Sequence, residues 1–201
     1  MDNMIGKITV ICGPMFSGKT EELIRLIKRI KIAKKECIVF KPKTDNRYNA
    51  KMVCSHDGNK IECHIVDKAI DIIKYLDKHP TIKYIGIDEA QFFDNALYDV
   101  VKHLADNGYY IVVAGLDMNF RQEPFGAMPQ LLAIANEVRK LTAVCSVCGK
   151  DAQYNQRMIN GKPASYNDPE IVVGGQDCYD AKCREHFVMD DKPKLKIEVK
   201  K

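Results

Sequence analysis

K-I-T-V-I-C, Lys7 to Cys12, runs directly into G-P-M-F-S-G-K-T, Gly13 to Thr20, and the reading of this stretch decides the fold. The first half is short, β-branched and apolar, which predicts a buried strand. The second half fits G-x-x-x-x-G-K-[ST], a phosphate-binding loop that requires a strand before it and a helix after it. Lys19 to Lys34 supplies that helix, with Leu23, Ile27 and Ile30 at helical spacing and cations on the other face. Gly13 and Gly18 let the backbone curl so that successive N–H groups face one anion, and the helix N-terminus adds its positive end. The residues Gly13, Pro14, Met15, Phe16, Ser17, Gly18, Lys19 and Thr20 are therefore the expected ATP cradle. Lys19 reaches the β- and γ-phosphates, and the Thr20 hydroxyl ligates Mg²⁺.

Working outward, strand-like and helix-like stretches alternate as far as residue 140. Strands are expected at Glu36 to Lys41 (stopped by Pro42), Tyr84 to Ile87 and Tyr109 to Leu116. Helices are expected at Asp67 to His79, with Ile70, Ile73 and Leu76 as the apolar edge, at Ala96 to Asn107 with Gly108 as C-cap, and at Met128 to Arg139. Such alternation implies an α/β fold, a P-loop (RecA-like) parallel sheet with helices on both faces. Its ligand rim lies beyond the strand carboxyl ends, where segments begin at Gly13, Lys41, Asp88 and Asp117.

Length, composition and charge bound the rest. The chain has 201 residues, 46% hydrophobic and 29% charged, with formal net charge +4, which suits a globular protein with one core and a small appendage. The charge is too balanced for a nucleic-acid footprint. No apolar run approaches the ~18 residues that span a bilayer, and no signal-peptide pattern opens the chain, so neither nucleic acid nor membrane is an expected partner and the expected compartment is the cytoplasm. Composition changes near Leu141. The expected division is a nucleotide-binding domain over residues 1–142, a zinc-anchored lasso and substrate-binding domain over 143–191, and a basic tail over 192–201.

I-G-I-D-E, Ile85 to Glu89, is an apolar strand ending in two acids. Asp88 fits the position that holds Mg²⁺, and Glu89 can orient an attacking oxygen and accept its proton. Asp88-Glu89-Ala90-Gln91 also looks like the D-E-x-x box of helicase-type ATPases, but those need a second RecA-like domain that 201 residues cannot supply. Gln91 is grouped with Asp88 among the ATP and Mg²⁺ contacts. A guanine-reading N-K-x-D signature is absent from the sequence.

Eight cysteines in a reducing compartment are thiols or metal ligands rather than disulfides. Cys145-Ser146-Val147-Cys148 and Cys183-Arg184-Glu185-His186 are two ligand pairs of equal spacing, suited to one tetrahedral, structural Zn²⁺ held by Cys145, Cys148, Cys183 and His186. Cys178 lacks an x-x partner and is left out. Cys12, Cys37, Cys54 and Cys63 show no ligand spacing. A zinc ribbon gripping nucleic acid is the alternative, and the near-neutral composition between Cys148 and Cys183 argues against it.

Taken together, G-P-M-F-S-G-K-T, T-D-N-R-Y (Thr44 to Tyr48), D-E-A-Q-F (Asp88 to Phe92), G-L-D-M-N-F (Gly115 to Phe120), P-F-G (Pro124 to Gly126), L-T-A-V-C-x-x-C (Leu141 to Cys148), V-G-G-Q-D-x-Y (Val173 to Tyr179) and C-R-E-H resemble the zinc-containing, cytosolic thymidine kinases. The resemblance covers about Gly6 to Val188. It implies transfer of the ATP γ-phosphate to the thymidine 5′-hydroxyl in nucleoside salvage, giving thymidine monophosphate, with Glu89 as general base and Arg47 near the reacting end. It implies Phe120 and Phe125 walling the base pocket, Met15 and Leu116 near the thymine, Tyr179 on the substrate, and backbone groups of Ile171, Val172, Val173, Gly174 and Gly175 closing over the nucleoside as a lasso. It also implies a homotetramer inhibited by thymidine triphosphate (dTTP). His186 stands where some members have cysteine; both ligate zinc.

Overall fold

The structure is a computed structural model, and it describes residues 6–43, 52–54, 60–170 and 178–193. Arg47, the lasso residues Ile171 to Gly175 and most of the basic tail lie outside the described residues.

In chain order the first part runs β1 (Lys7–Cys12), α1 (Lys19–Ile32), β2 (Cys37–Pro42), β3 (Met52–Cys54), β4 (Lys60–Glu62), β5 (His64–Val66), α2 (Ile70–Asp77), β6 (Tyr84–Ile87), α3 (Leu97–Asp106), β7 (Tyr110–Gly115), α4 (Met128–Ile134) and β8 (Glu137–Lys140). Six of these strands form one sheet in the order β5-β2-β6-β7-β1-β8, and every pairing in it is parallel. Both faces are covered, as a parallel sheet requires. Alternate residues of β1, β6 and β7 (Ile8, Val10, Ile85, Ile87, Ile111, Val113) pack with α2, α3 and α4. Their neighbours Ile11, Val112 and Ala114 pack with Leu23, Ile24 and Ile27 of α1 and with Val53 and Ile61 of the antiparallel β3–β4 ribbon.

The four expected strands appear within a residue of their expected ends. Helix α1 stops at Ile32 because Lys34 turns left-handed (φ 56°) and the N–H groups of Lys34 and Lys35 close back on Lys31 and Ile30, a Schellman ending. Gly108 ends α3 in the same way, with φ 80° and bonds from Gly108 and Tyr109 to Ala105 and Leu104.

Three expectations need correction. The helix expected over Met128 to Arg139 ends at Ile134. Ala135 then turns extended (ψ 134°) and Glu137–Lys140 becomes the edge strand β8 beside β1. Asn136 forces the change: its side-chain oxygen accepts the Ile8 N–H at 2.8 Å and its own N–H donates to the Ile8 carbonyl at 2.9 Å. In α2 the buried residues are Ile72 and Leu76, while Ile70 is 43% exposed, so the inward face is rotated from the expected edge. His64–Val66, outside the four expected strands, pairs with Phe40 to Pro42; Pro42 thus ends β2 inside the ladder instead of stopping it beforehand.

Beyond Leu141 the pieces are smaller. Strands β9 (Ala143–Val144) and β10 (Asp151–Ala152) make a ribbon, and β11 (Tyr154–Ile159) is the centre of a three-stranded antiparallel sheet with β12 (Lys162–Pro163) and β13 (Cys178–Lys182). Among the described residues the buried cluster here is Ala143, Cys145, Ala152, Ala181 and Cys183, too little apolar area to order so much chain unaided.

Candidate active site and metal centre

The phosphate loop leaves the carboxyl end of β1 and enters α1. Gly13 has φ 141°, and a Cβ there would stand 2.3 Å from the Leu141 carbonyl oxygen, so only glycine fits this crossing. Gly18 is left-handed at the helix N-cap, and Phe16 is left-handed too (φ 63°) and half exposed. The Lys19 ammonium lies across the loop, donating to the Pro14 carbonyl at 2.6 Å, and the Ser17 hydroxyl donates to the same oxygen at 2.8 Å. Dense surroundings push the Lys19 ammonium down from its ordinary value, while Glu89, Asp88 and Asp117 pull it back up. The lysine thus feels the charges of three acids at the ends of β6 and β7.

Asp88 is buried, its N–H bonded to the Phe40 carbonyl of β2. Burial, then the adjacent Glu89 charge, push its carboxyl up to about 7. Such a carboxyl suits a divalent cation, whose charge would hold it ionised. Glu89 adopts φ 52°, ψ 42° before the 3₁₀ turn Ala90–Phe92. That left-handed backbone sends it away from Asp88's position in the strand pattern. Gln91, buried, fixes the carboxylate: its amide donates to Glu89 Oε2 at 2.5 Å, and its Oε1 accepts the Leu116 N–H at 2.9 Å. A Cβ on Gly115 would meet that Gln91 oxygen at 2.8 Å. Gln91, grouped from the sequence with the ATP and Mg²⁺ contacts, thus has both ends of its amide on Glu89 and Leu116. Sequence spacing carried no sign of this bridge, which depends on β7 lying beside β6.

Phe120 and Phe125 are both buried on the loop after β7. Phe125 meets Phe92 edge to face at 5.6 Å between centroids. Two guanidiniums stand over the Phe120 ring, Arg121 at 5.3 Å and Arg157 at 5.2 Å from its centroid. The loop is stapled to the chain that leads into residues 171–175: Asn119 donates to Glu170 at 2.7 Å, Arg121 to the Asp168 carbonyl at 2.5 Å, and Tyr166 to Glu123 at 2.6 Å. Tyr179 stands opposite Arg157 in the β11–β13 register, so both side chains leave the same face of that sheet.

Cys145, Cys148, Cys183 and His186 come together with all ligand atoms within 4.8 Å of one another. Cys148 Sγ to Cys183 Sγ is 3.8 Å, Cys145 Sγ to His186 Nδ1 is 3.8 Å and Cys183 Sγ to His186 Nδ1 is 3.2 Å. A tetrahedron with ~2.3 Å Zn–S bonds has edges of about 3.8 Å, so the donor set and its size fit zinc. Backbone N–H bonds, that of Cys183 first, pull the Cys145 thiol down to about 6, toward the thiolate that a metal needs.

Among the described residues no helix is long and apolar enough to cross a membrane. A family sequence model described as "Thymidine kinase" matches residues 6–187, a span that takes in the phosphate loop, the Asp88–Glu89 strand end, the aromatic loop and all four clustered ligands.

Proposed function

Since the chain belongs to the thymidine kinase family, a family of phosphotransferases that act on thymidine with ATP, we propose that Glu89 is the general base that activates the thymidine 5′-hydroxyl, within the site bounded by Lys19, Asp88 and the aromatic loop. One observation carries this reading: the Glu89 carboxylate is aimed and held by Gln91 at the end of β6, next to Asp88. In this reading the loop amides from Gly13 to Thr20 bind the triphosphate, and Lys19 leaves the Pro14 carbonyl to neutralise charge on the β- and γ-phosphates. Thr20 and Asp88 would hold Mg²⁺, which supplies further neutralisation of the phosphate oxygens when bound. Phe120, Phe125, Met15, Leu116 and Tyr179 form the nucleoside pocket, with Arg47 and the backbone of residues 171–175 completing it. Glu89 takes the 5′-hydroxyl proton as that oxygen attacks the γ-phosphorus, and the closed pocket keeps water from the same position. Cys145, Cys148, Cys183 and His186 hold a structural Zn²⁺ that anchors both ends of the lasso. The division into residues 1–142, 143–191 and 192–201 follows these roles.

The product, thymidine monophosphate, serves nucleotide salvage in the cytoplasm. A homotetramer restrained by dTTP completes the proposal, supported by the sequence resemblance.

The test is ATP consumption by the purified protein with and without thymidine. ATP use should depend on thymidine and yield one thymidine monophosphate per ATP. Brisk hydrolysis without thymidine, and no nucleotide product, would replace the kinase with an ATPase whose Glu89 activates water.

A further inference from the structure

Strand β11 carries three consecutive buried polar residues, Asn155, Gln156 and Arg157. A strand alternates its faces, so both faces of β11 are engaged. Gln156 takes one of them, its oxygen accepting the Val188 N–H at 2.8 Å. Asn155 and Arg157, two residues apart, share the face that meets the nucleotide-binding sheet.

Their contacts differ. Asn155 Oδ1 accepts the Met15 N–H, inside the phosphate loop, at 2.7 Å, and Asn155 Nδ2 donates to the Met118 carbonyl, two residues before Phe120, at 3.3 Å. Arg157 donates to the Pro169 carbonyl at 2.6 Å, and its guanidinium lies over the Phe120 ring. One amide therefore clamps the phosphate loop to the aromatic loop. One guanidinium clamps the aromatic loop to the segment that leads into residues 171–175.

We propose that Asn155 and Arg157 are positioning residues that couple the triphosphate loop to the nucleoside pocket, Asn155 acting on both substrates and Arg157 on the nucleoside alone. The proposal rests on the assignment of Met15 and Phe120 to those sites. The asymmetry follows from the bonds: Met15 belongs to the ATP cradle, whereas Phe120 and Pro169 lie outside it. Loss of a buried hydrogen bond weakens what it positions by about tenfold.

Four variants separate the two arms. Asn155→Leu removes both bonds, and KM should rise about tenfold for ATP and for thymidine. Asn155→Ser is too short for either bond but adds no bulk or charge, so KM should again rise for both substrates. Arg157→Met should raise KM for thymidine alone, and Arg157→Lys, which retains one donor, should recover part of the loss. Zinc content and thermal unfolding, measured alongside, identify variants that have merely failed to fold, for which Asn155→Ser and Arg157→Lys are the milder replacements. Binding of a fluorescent ATP analogue without nucleoside reads the Asn155 arm alone. A wild type that binds it but leaves thymidine unphosphorylated sinks the functional reading and not this arm. Arg157 variants that shift both constants together, or an Asn155→Leu protein with unchanged ATP binding, overturn the coupling.

Discussion

Glu89 is a non-glycine residue in the left-handed region, a conformation that costs on the order of 1–2 kcal/mol. The cost is tolerated because Gln91, trapped between Glu89 and the Leu116 N–H, over-determines the side chain. Glu89→Gln preserves shape but cannot take a proton, so kcat should fall about 10²–10⁴-fold, while thymidine affinity, read by equilibrium binding, changes far less. Gln91→Leu leaves the base chemically intact but unaimed. Its kcat should fall as well, and the loss should not be recovered by raising pH. Asp88 makes a different prediction. Its folded value of about 7 exceeds the ordinary 3.8, so between those pH values the folded chain holds a proton that the unfolded chain has released. Stability due to this group is then greatest at low pH and is lost as pH rises toward 7. Asp88→Asn should remove that slope, unfolding at a higher temperature than wild type near pH 7 without magnesium, while turnover is lost. A melting series from about pH 5 to 8 decides it: parallel wild-type and variant curves would show that Asp88 pays no burial penalty.

At the scale of elements, the two short knuckles around Cys145–Cys148 and Cys183–His186 organise strands that share only a small buried apolar cluster among the described residues. Purified protein should contain about one zinc per chain, and Cys145→Ser or His186→Ala should lose it. Limited proteolysis should then cut between Cys148 and Cys183 before it touches the six-stranded sheet; equal protection with and without metal would make the cluster incidental. These knuckles, like Gly13 to Thr20 and Asp88-Glu89, were legible in the sequence because each is a contiguous string whose chemistry depends on spacing. Strand β8 was not. Glu137, Arg139 and Lys140 are all good helix formers, and only the docking of Asn136 on Ile8, with the ion pairs of Glu137 to Lys7 and Arg139 to Glu22, turns the segment into a strand. His64–Val66 is too short to show a period at all. The bridges of Gln91 and Asn155 stayed hidden for a related reason: their partners are backbone groups, which any residue offers, brought near by topology.

At the scale of the whole molecule, the parallel sheet has its own two-faced core, and the segment beyond Leu141 meets it through polar bonds such as Asn155 to Met15 and Asn119 to Glu170. Stripping zinc with a chelator should therefore leave a cooperative melting transition for the sheet while thymidine binding is already lost. A single transition that vanishes with the metal would show that the sheet cannot stand alone. The order β5-β2-β6-β7-β1-β8 sets β1 between β7 and β8, which follow it by about a hundred residues or more, and that has a consequence for biosynthesis. Chains emerge from the ribosome at ~5–20 residues per second, so Lys7–Cys12 waits on the order of ten seconds before both its neighbours exist. Until then β1 is a bare apolar edge, and Gly13 lacks the Leu141 carbonyl against which its loop is set. The nucleotide motif is thus made well before the strands that let it be used. A nascent-chain complex stalled with nothing beyond Ile134 outside the exit tunnel should bind no ATP, although every residue from Gly13 to Thr20 is exposed; one released past Lys150 should.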